Sequence, residues 1–272
     1  MSKPDFQAIQ VTTSGSIATL RLARPDNRNA LNLQMCHEIV AACEALEADE
    51  NVRVILLRGE GVAFCAGADL KERQTMSGAE TLARRVDGFT AYASLERLSK
   101  PVIAVVHGPA YGSGCEIAGA CDFILASTEA VFCYPEVGWG TIGATQRLPR
   151  IVGPRVAKEL LFSGRKVGAE EALELGLVNH VYAVGELDAR VQELAERIAK
   201  ANPLTVALTK RSIDTGLETT REGAMAQELL AIQENLRHSD WKKAISGFGG
   251  SASDGSATPS AQASTSGAQG AA

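Results

Sequence analysis

A strand, a glycine-rich turn, a helix and a second strand follow one another closely near the middle of the chain. The apolar run Val102–Val106 predicts a buried strand, and Gly112-Ser113-Gly114 predicts a tight turn. Cys115–Ala120 then predicts a short helix, and Asp122–Ala126 predicts the next strand. Because strands that alternate with helices pair in parallel, this order favours an α/β fold.

The preceding segments extend the same pattern. They predict a hairpin of Ala8–Thr13 and Ile17–Leu22, a helix over Leu33–Ala48 with Asn32 as its N-cap, a strand over Val52–Leu57 and a helix over Gly78–Leu98. With 272 residues, the chain is long enough to bury a sizeable core.

The last third of the sequence changes character. It predicts three amphipathic helices, over Glu186–Ala201, Pro203–Thr215 and Arg221–His238. One apolar stripe contains Leu194, Ile198 and Ala201, and another contains Leu229, Ile232 and Leu236. Such stripes are usually intrachain core, although helices at the end of a chain also form subunit interfaces. We divide the chain into a core (1–190), a helical region (191–248) and a low-complexity tail (249–272) that is expected to be disordered.

Composition excludes several classes of protein. The formal net charge of -5 argues against a general nucleic-acid binder, and no apolar run reaches the ~20 residues that a membrane span needs. The N-terminal residues lack the pattern of a signal peptide. Six cysteines without a CxxC pair predict free core thiols, and hence a cytoplasmic protein.

Several familiar sites are missing from the sequence. There is no GxGxxG after a strand, no GxxxxGK[ST] and no HExxH, and the four histidines are scattered. These absences argue against a dinucleotide site, a P-loop and a zinc site. Ser113 lies between glycines, but the surrounding residues do not form GxSxG, so a serine-hydrolase elbow is only a weak alternative.

Two carboxylates and two turns are the features of the sequence that indicate a catalytic site. Glu116 follows the Gly112–Gly114 turn, and Glu136 lies in an apolar segment. Ala66-Gly67-Ala68-Asp69 is a second small-residue turn. Taken alone, each turn could simply lead into a helix. Each acid, taken alone, could be an ordinary carboxylate at a helix end or in a capped loop. Together they favour acid/base chemistry beside backbone N–H groups that could stabilise a thioester oxygen.

At this point the chain resembles the enoyl-CoA hydratase/isomerase (crotonase) superfamily, over about residues 8 to 248. The matching stretches are Arg28-Asn29-Ala30-Leu31, AFCAGADLKE (63–72), KPVIAVVHG (100–108), GSGCEIAGACD (112–122), Pro135-Glu136-Val137, TQRLPRIVG (145–153) and AEEALELGLVN (169–179). The resemblance implies a spiral of ββα units with a C-terminal helical region used for assembly into trimers or hexamers. It also implies an acyl-CoA thioester substrate, no metal or redox cofactor, and a role in fatty-acid β-oxidation.

Site residues follow from the same resemblance. It implies that the N–H groups of Ala68 and Ser113 form an oxyanion hole, and that Glu116 and Glu136 are the catalytic acids. The expected substrate and CoA contacts are Arg28, Ala30, Ala66, Ala68, Asp69, Leu70, Lys71, Gly112 and, in the acyl pocket, Trp139. Members with only isomerase activity usually lack the acid at position 116, so its presence favours hydration of a trans-2-enoyl-CoA.

Three departures from the family pattern stand out. Ser113 replaces the usual middle glycine of the turn, the segment after Glu136 lacks a Pro-Gly pair and is shorter, and the usual basic ending is replaced by Gly247-Phe248-Gly249-Gly250. Because this segment is altered, a second hypothesis for the function stays open: a protein of the same fold that isomerises the double bond or hydrolyses the thioester. A third hypothesis is a non-catalytic acyl-CoA-binding protein. The two retained glutamates argue against it.

Overall fold

The computed structural model describes residues 6–246 and contains alternating strands and helices up to residue 182. The first half of the chain comprises β1 (Ile9–Ser14), β2 (Ile17–Leu22), α1 (Leu33–Ala48), β3 (Val54–Gly59), α2 (Leu70–Arg73), α3 (Gly78–Glu96), β4 (Val102–Val106), β5 (Pro109–Tyr111), α4 (Ser113–Gly119), β6 (Phe123–Ser127) and β7 (Val131–Cys133). The second half comprises α5 (Arg147–Val152), α6 (Pro154–Ser163), β8 (Lys166–Gly168), α7 (Ala169–Glu174), β9 (His180–Tyr182), α8 (Leu187–Ala199), α9 (Pro203–Gly216), α10 (Arg221–His238) and α11 (Trp241–Ser246). Single 3₁₀ turns cover Pro25–Asn27 and Glu136–Trp139.

Two sheets form the framework. The larger has the strand order β1-β2-β3-β4-β6-β9, in which only the β1–β2 hairpin is antiparallel. The smaller has the order β5-β7-β8. The predicted hairpin and the predicted parallel sheet are therefore both present. Because β5 and β7 pair in parallel, the chain segments that follow them, including the turn before α4 and Glu136, emerge at the same edge.

Side chains of the larger sheet alternate between two apolar layers. Ile55 and Leu57 of β3 face the main core with α1 and α3, whereas Val54 and Leu56 face a second layer. This second layer is covered by α8, through Val191 and its neighbours. A parallel strand covered on both faces is apolar along its whole length, which explains the continuous apolar runs in the sequence.

Local signals determine where the helices begin. The side chain of Asn32 accepts a hydrogen bond from the Met35 N–H, as the sequence predicted for the N-cap of α1. Ser77 and Glu80 form a capping box at the start of α3. Helix α10 spans Arg221–His238, the range predicted from its periodicity. The structure thus places these helices within one or two residues of the predicted bounds.

The C-terminal helices divide differently from the prediction. Leu194 and Ile198 pack against the second apolar layer, so α8 lies with the sheet although the predicted boundary at residue 190 runs through it. The intrachain interpretation of the other stripe is wrong: Leu229, Ile232 and Leu236 are exposed. In α10 a single side chain, that of Ala231, is buried. Helix α10 therefore presents its apolar side chains outward.

The remaining general predictions have different outcomes. All six cysteines are buried and free, as predicted. None of the helices between residues 6 and 246 combines the length and apolarity that a membrane span requires. The predicted tail (249–272) and the unusual ending at residues 247–250 lie outside the described residues.

Candidate active site

The two glycine turns singled out in the sequence lie against each other. The N–H of Cys65 donates to the Pro109 carbonyl, and the N–H of Tyr111 donates back to the Cys65 carbonyl. Gly67 has a φ of 102° and lies so close to the second turn that an added Cβ would be 2.8 Å from the Tyr111 oxygen and 3.8 Å from the Ser113 nitrogen. Only glycine combines this backbone conformation with this approach.

Each turn presents a backbone N–H group without a partner among the described residues. Next to Ala68, the N–H of Asp69 bonds to the Leu31 carbonyl, but the Ala68 N–H does not donate to any residue between 6 and 246. Ser113 is the first residue of α4, where helix N–H groups have no intrahelical acceptor. The close approach at Gly67 brings these two donors to the same small region. This is the arrangement expected of an oxyanion hole.

Glu116 is one of the two buried acids beside these donors. Its side chain is 3% exposed; Oε1 accepts a hydrogen bond from the Ala144 N–H at 3.1 Å, and Oε2 has no hydrogen-bond partner among residues 6–246. Burial raises the pKa of Glu116, while the Ala144 N–H and three guanidinium groups, led by that of Arg85, act in the opposite direction. The Arg85 Nη1 atom lies 4.0 Å from Oε2.

Glu136 is the second buried acid. It begins the 3₁₀ turn after β7 and is 7% exposed, and its buried Oε2 has no hydrogen-bond partner in the part of the chain that the structure describes. Gly112 and Gly143 enclose it, since a Cβ on either would lie 3.0 Å or less from its carboxyl oxygen. Burial raises the pKa of Glu136, its own backbone N–H lowers it, the charge of Glu116 raises it further, and Arg85 lowers it. Glu136 thus has fewer stabilising charges than Glu116.

The shortened segment after Glu136 has a definite role in this geometry. Ala144, with a φ of 54°, provides the N–H that holds Glu116. Thr141 and Ile142 accept hydrogen bonds from Arg85 through Oγ1 and the carbonyl oxygen. Trp139 is 71% exposed and does not line the cavity beside Ala68 and Ser113. Its expected contact with the acyl chain stays a prediction.

The expected CoA-contacting residues are grouped around the first turn. The Ala66 N–H donates to the Arg28 carbonyl, and Leu31 forms a parallel bridge with Ala68, so the segments around Arg28 and Ala68 run side by side. Arg28, Leu70 and Lys71 are exposed at this edge, whereas Ala30, Ala66 and Ala68 are half-buried and Gly112 is buried beside Glu136.

Asp69 has a structural role that was not predicted from the sequence. It caps α2 by accepting from the N–H groups of Lys71 and Glu72, and it forms an ion pair with Arg24 at 3.0 Å. Asn29 stabilises the same region, because its buried amide donates hydrogen bonds to the carbonyl groups of Glu60, Ala63 and Phe64. Asn29 could have been identified from the sequence by its position in the Arg28–Leu31 motif.

Helix α3 adds site residues that sequence reasoning missed. A small cavity of about 10 Å³, room for roughly one water, adjoins the two N–H donors. Its lining comprises Leu31, Cys36, Ala68, Arg73, Arg84, Arg85, Gly88, Phe89, Tyr92 and Ser113. In the sequence, the basic residues of α2 and α3 have the pattern of a solvent-exposed helix face. Their spacing does not indicate that they lie near Glu116. Among the residues described, no cluster of three or more His, Cys, Asp or Glu side chains could hold a metal ion.

Known proteins share both the sequence and the fold. The family model described as "Enoyl-CoA hydratase/isomerase" matches residues 12–251. A short-chain-enoyl-CoA hydratase of Clostridium acetobutylicum is 39% identical over 238 residues, covering 86% of this chain and 91% of that protein. A crotonyl-CoA hydratase of Syntrophomonas wolfei is 37% identical, covering 89% and 95%. The crystal structure of an enoyl-CoA hydratase from Bacillus anthracis superposes with a TM-score of 0.86 at 34% identity, covering 89% and 96%.

Proposed function

The chain belongs to the enoyl-CoA hydratase/isomerase family, and from this premise we propose that it adds water across the 2,3 double bond of a trans-2-enoyl-CoA thioester to give the 3-hydroxyacyl-CoA. The expected fold class, an α/β crotonase fold with C-terminal helices, is confirmed by the structural similarity. The observation that carries the proposal is the pair of buried acids, Glu116 and Glu136. Within the described part of the chain, each has an oxygen that accepts no hydrogen bond, and the two N–H groups near them donate none.

The two N–H groups account for activation of the substrate. A thioester oxygen between Ala68 and Ser113 would accept both hydrogen bonds, which polarises the conjugated double bond and makes Cβ electrophilic. As water adds, negative charge moves onto this oxygen, and each donor is typically worth roughly 3 kcal/mol in the transition state. The Ser113 substitution retains the backbone N–H, so this role does not need glycine at that position.

The electrostatic surroundings support a division of labour between the acids. Glu116 has the Ala144 N–H and the Arg85 guanidinium to stabilise its charge, so it is the better candidate to orient a water and accept its proton as the oxygen attacks Cβ. Glu136 is repelled by the charge of Glu116, which favours its protonated form. A protonated Glu136 would then deliver a proton to Cα.

Recognition of the CoA moiety is assigned to the edge around the first turn. Arg28 and Lys71 are exposed cations there, suited to the phosphates of CoA, and Ala30, Ala66, Asp69 and Leu70 lie next to them. No cofactor is needed in this proposal, because the reaction is proton transfer and charge stabilisation, which the two carboxyl groups and two N–H donors can provide. A place in fatty-acid β-oxidation stays a prediction.

A turnover assay tests the proposal. Crotonyl-CoA should lose its conjugated thioester absorbance when the protein is added, and 3-hydroxybutyryl-CoA should accumulate. A 3-enoyl-CoA and a saturated acyl-CoA tested in parallel should react far more slowly. Faster conversion of the 3-enoyl-CoA would instead support isomerisation, release of free CoA from the saturated thioester would support hydrolysis, and binding without turnover would support the non-catalytic alternative.

Assembly into a homotrimer or a hexamer is the second part of the proposal. Leu229, Ile232 and Leu236 are exposed on α10, and Ile213 and Leu217 are exposed at the end of α9. An 18-residue helix with one buried side chain gains little from its own protomer, because helices in proteins are stabilised mainly by packing of an apolar face. Contact with another copy would bury this surface.

A further inference from the structure

Arg73 lies beside the active site, and within the described part of the chain no carboxylate is at ion-pair distance from it. Its guanidinium forms no ion pair with any residue between 6 and 246, and its Nε is buried without a hydrogen-bond partner. The side chain is half-buried, and a donor buried without a partner costs free energy, so such groups are usually hydrogen-bonded. Burial, Arg85 and Arg84 lower the pKa of Arg73, whereas Tyr92 and Glu72 act in the opposite direction.

The neighbouring arginines show how unusual this is. Each nitrogen of the Arg84 guanidinium has an acceptor: Glu72, the sulfur of Cys36 and the Leu31 carbonyl. Arg147, next to the site, forms a two-bonded pair with Glu96. Arg85 is held by the segment after Glu136 and faces Glu116. Arg73 is the member of this group whose side chain makes no hydrogen bond to any residue between 6 and 246.

Arg73 lies beside the two N–H donors of the proposed thioester site. It lines the same cavity as Ala68 and Ser113, together with α3 residues. It is also near enough to Glu116, the acid assigned to Cβ, to lower the pKa of that carboxyl group. Lys71, two residues earlier in α2, is exposed at the edge assigned to CoA. Arg73 thus lines the cavity at the N–H donors, whereas Lys71 and Arg28 do not.

We propose that Arg73, supported by Arg85, binds a carboxylate at the far end of the acyl group, so that the substrate class is a short trans-2-enoyl-CoA whose acyl chain ends in an acid. This inference rests on the proposed hydration. A guanidinium is suited to a carboxylate because it offers parallel N–H donors in a fixed plane. Because the free volume beside Ala68 has room for about one water, an acyl group enters only if the lining side chains move, and a chain of few carbons requires the least movement. Binding of such a substrate would supply the ion pair that Arg73 does not make with residues 6–246.

Substrates of equal length test this on the native protein. The mono-CoA thioester of trans-2-pentenedioic acid is compared with its monomethyl ester and with trans-2-pentenoyl-CoA. We expect kcat/KM for the acid to exceed both others by at least ~10-fold, because a site built for a polar group rejects analogues that leave it unpaired. Equal or faster turnover of pentenoyl-CoA would overturn the inference while leaving hydration intact. Failure of all three thioesters would overturn the proposed function itself.

Variants identify the residue responsible. Arg73→Met should lower the ratio of kcat/KM for the acid over pentenoyl-CoA by at least ~10-fold, and Arg73→Lys should restore part of it. Arg197→Met, which changes an exposed arginine of α8, is the matched control and should leave the ratio as it is. A proportional loss with both substrates in Arg73→Met would show that Arg73 contacts the shared CoA moiety and would contradict the proposal. Thermal melting of each variant checks folding.

Discussion

Glu116 and Glu136 are chemically identical side chains in different electrostatic surroundings, and the roles proposed for them depend on that difference. Glu116→Gln removes the group that accepts a proton from water, and Glu136→Gln removes the group that donates one to Cα. Each change should lower kcat for crotonyl-CoA hydration by at least ~10²-fold. Glu174→Gln, an exposed acid at the end of α7, is the control and should leave kcat unchanged. A near-normal rate in either active-site variant would remove that acid from the mechanism.

The buried carboxyl group of Glu136 should also destabilise the protein at alkaline pH. Its pKa is raised in the folded state, so the folded chain binds this proton more tightly than the unfolded chain. Stability is therefore lost as the pH rises through the folded pKa, and the effect vanishes below the ordinary value of 4.5. Glu136→Gln should have a higher Tm than the native protein at pH 8, and the difference should close towards pH 4.5. A lower Tm at pH 8 would show that the ionised carboxylate is stabilised.

Some residues of the candidate site were accessible from the sequence and others were not. Glu116 and Glu136 could be singled out because carboxylates in apolar segments are unusual, and the two turns because small residues let backbone N–H groups approach a ligand. That Ala68 and Ser113 are the donors is implied by the resemblance to the family. Arg85 and Ala144 could not, because their contacts depend on how α3 and the segment after Glu136 pack together. Such contacts join residues far apart in the chain, which no local pattern encodes.

The contact between the two turns depends on Gly67 at the level of elements. Gly67→Ala would combine a side chain with a φ of 102° and place its Cβ 2.8 Å from the Tyr111 oxygen. The strain should cost about 1–3 kcal/mol of stability and displace the Ala68 N–H. We therefore expect a lower denaturant midpoint and a loss of kcat. Gly78→Ala is the matched control, because a Cβ at Gly78 meets nothing within 4 Å. Equal stability of the two variants would show that the turns can separate without cost.

Elements with strong local signals were predicted most accurately. Helix α1 has its cap at Asn32, and α10 has the predicted bounds. Strand β3 begins at Val54 rather than Val52 and extends to Gly59, because pairing with β2 decides which residues of an apolar run enter the ladder. The 3₁₀ turn at Glu136–Trp139 was not predicted, since its form depends on packing around Glu136.

The arrangement of the whole protomer explains why one apolar stripe was misassigned. Periodicity identifies which side of a helix is apolar, but it does not reveal what covers that side. The stripe on α8 covers the sheet, whereas the stripe on α10 faces outward. Helix α9 is tied to the core by the ion pair between Lys210 and Asp122 at 3.0 Å, and α10 packs against α9. The outward stripe is therefore available to another molecule.

Subunit assembly should depend on this outward stripe. Leu229 is 64% exposed in the protomer, and Leu229→Asp would place a charge in the middle of the proposed interface. We expect light scattering coupled to size-exclusion chromatography to show a trimer or hexamer for the native chain and smaller species for the variant. Val184→Asp, a similarly exposed apolar residue before α8, should retain the native mass. A native monomer, or an unchanged mass in Leu229→Asp, would contradict assembly through α10, because a buried unpaired carboxylate at a helix interface should weaken the association measurably.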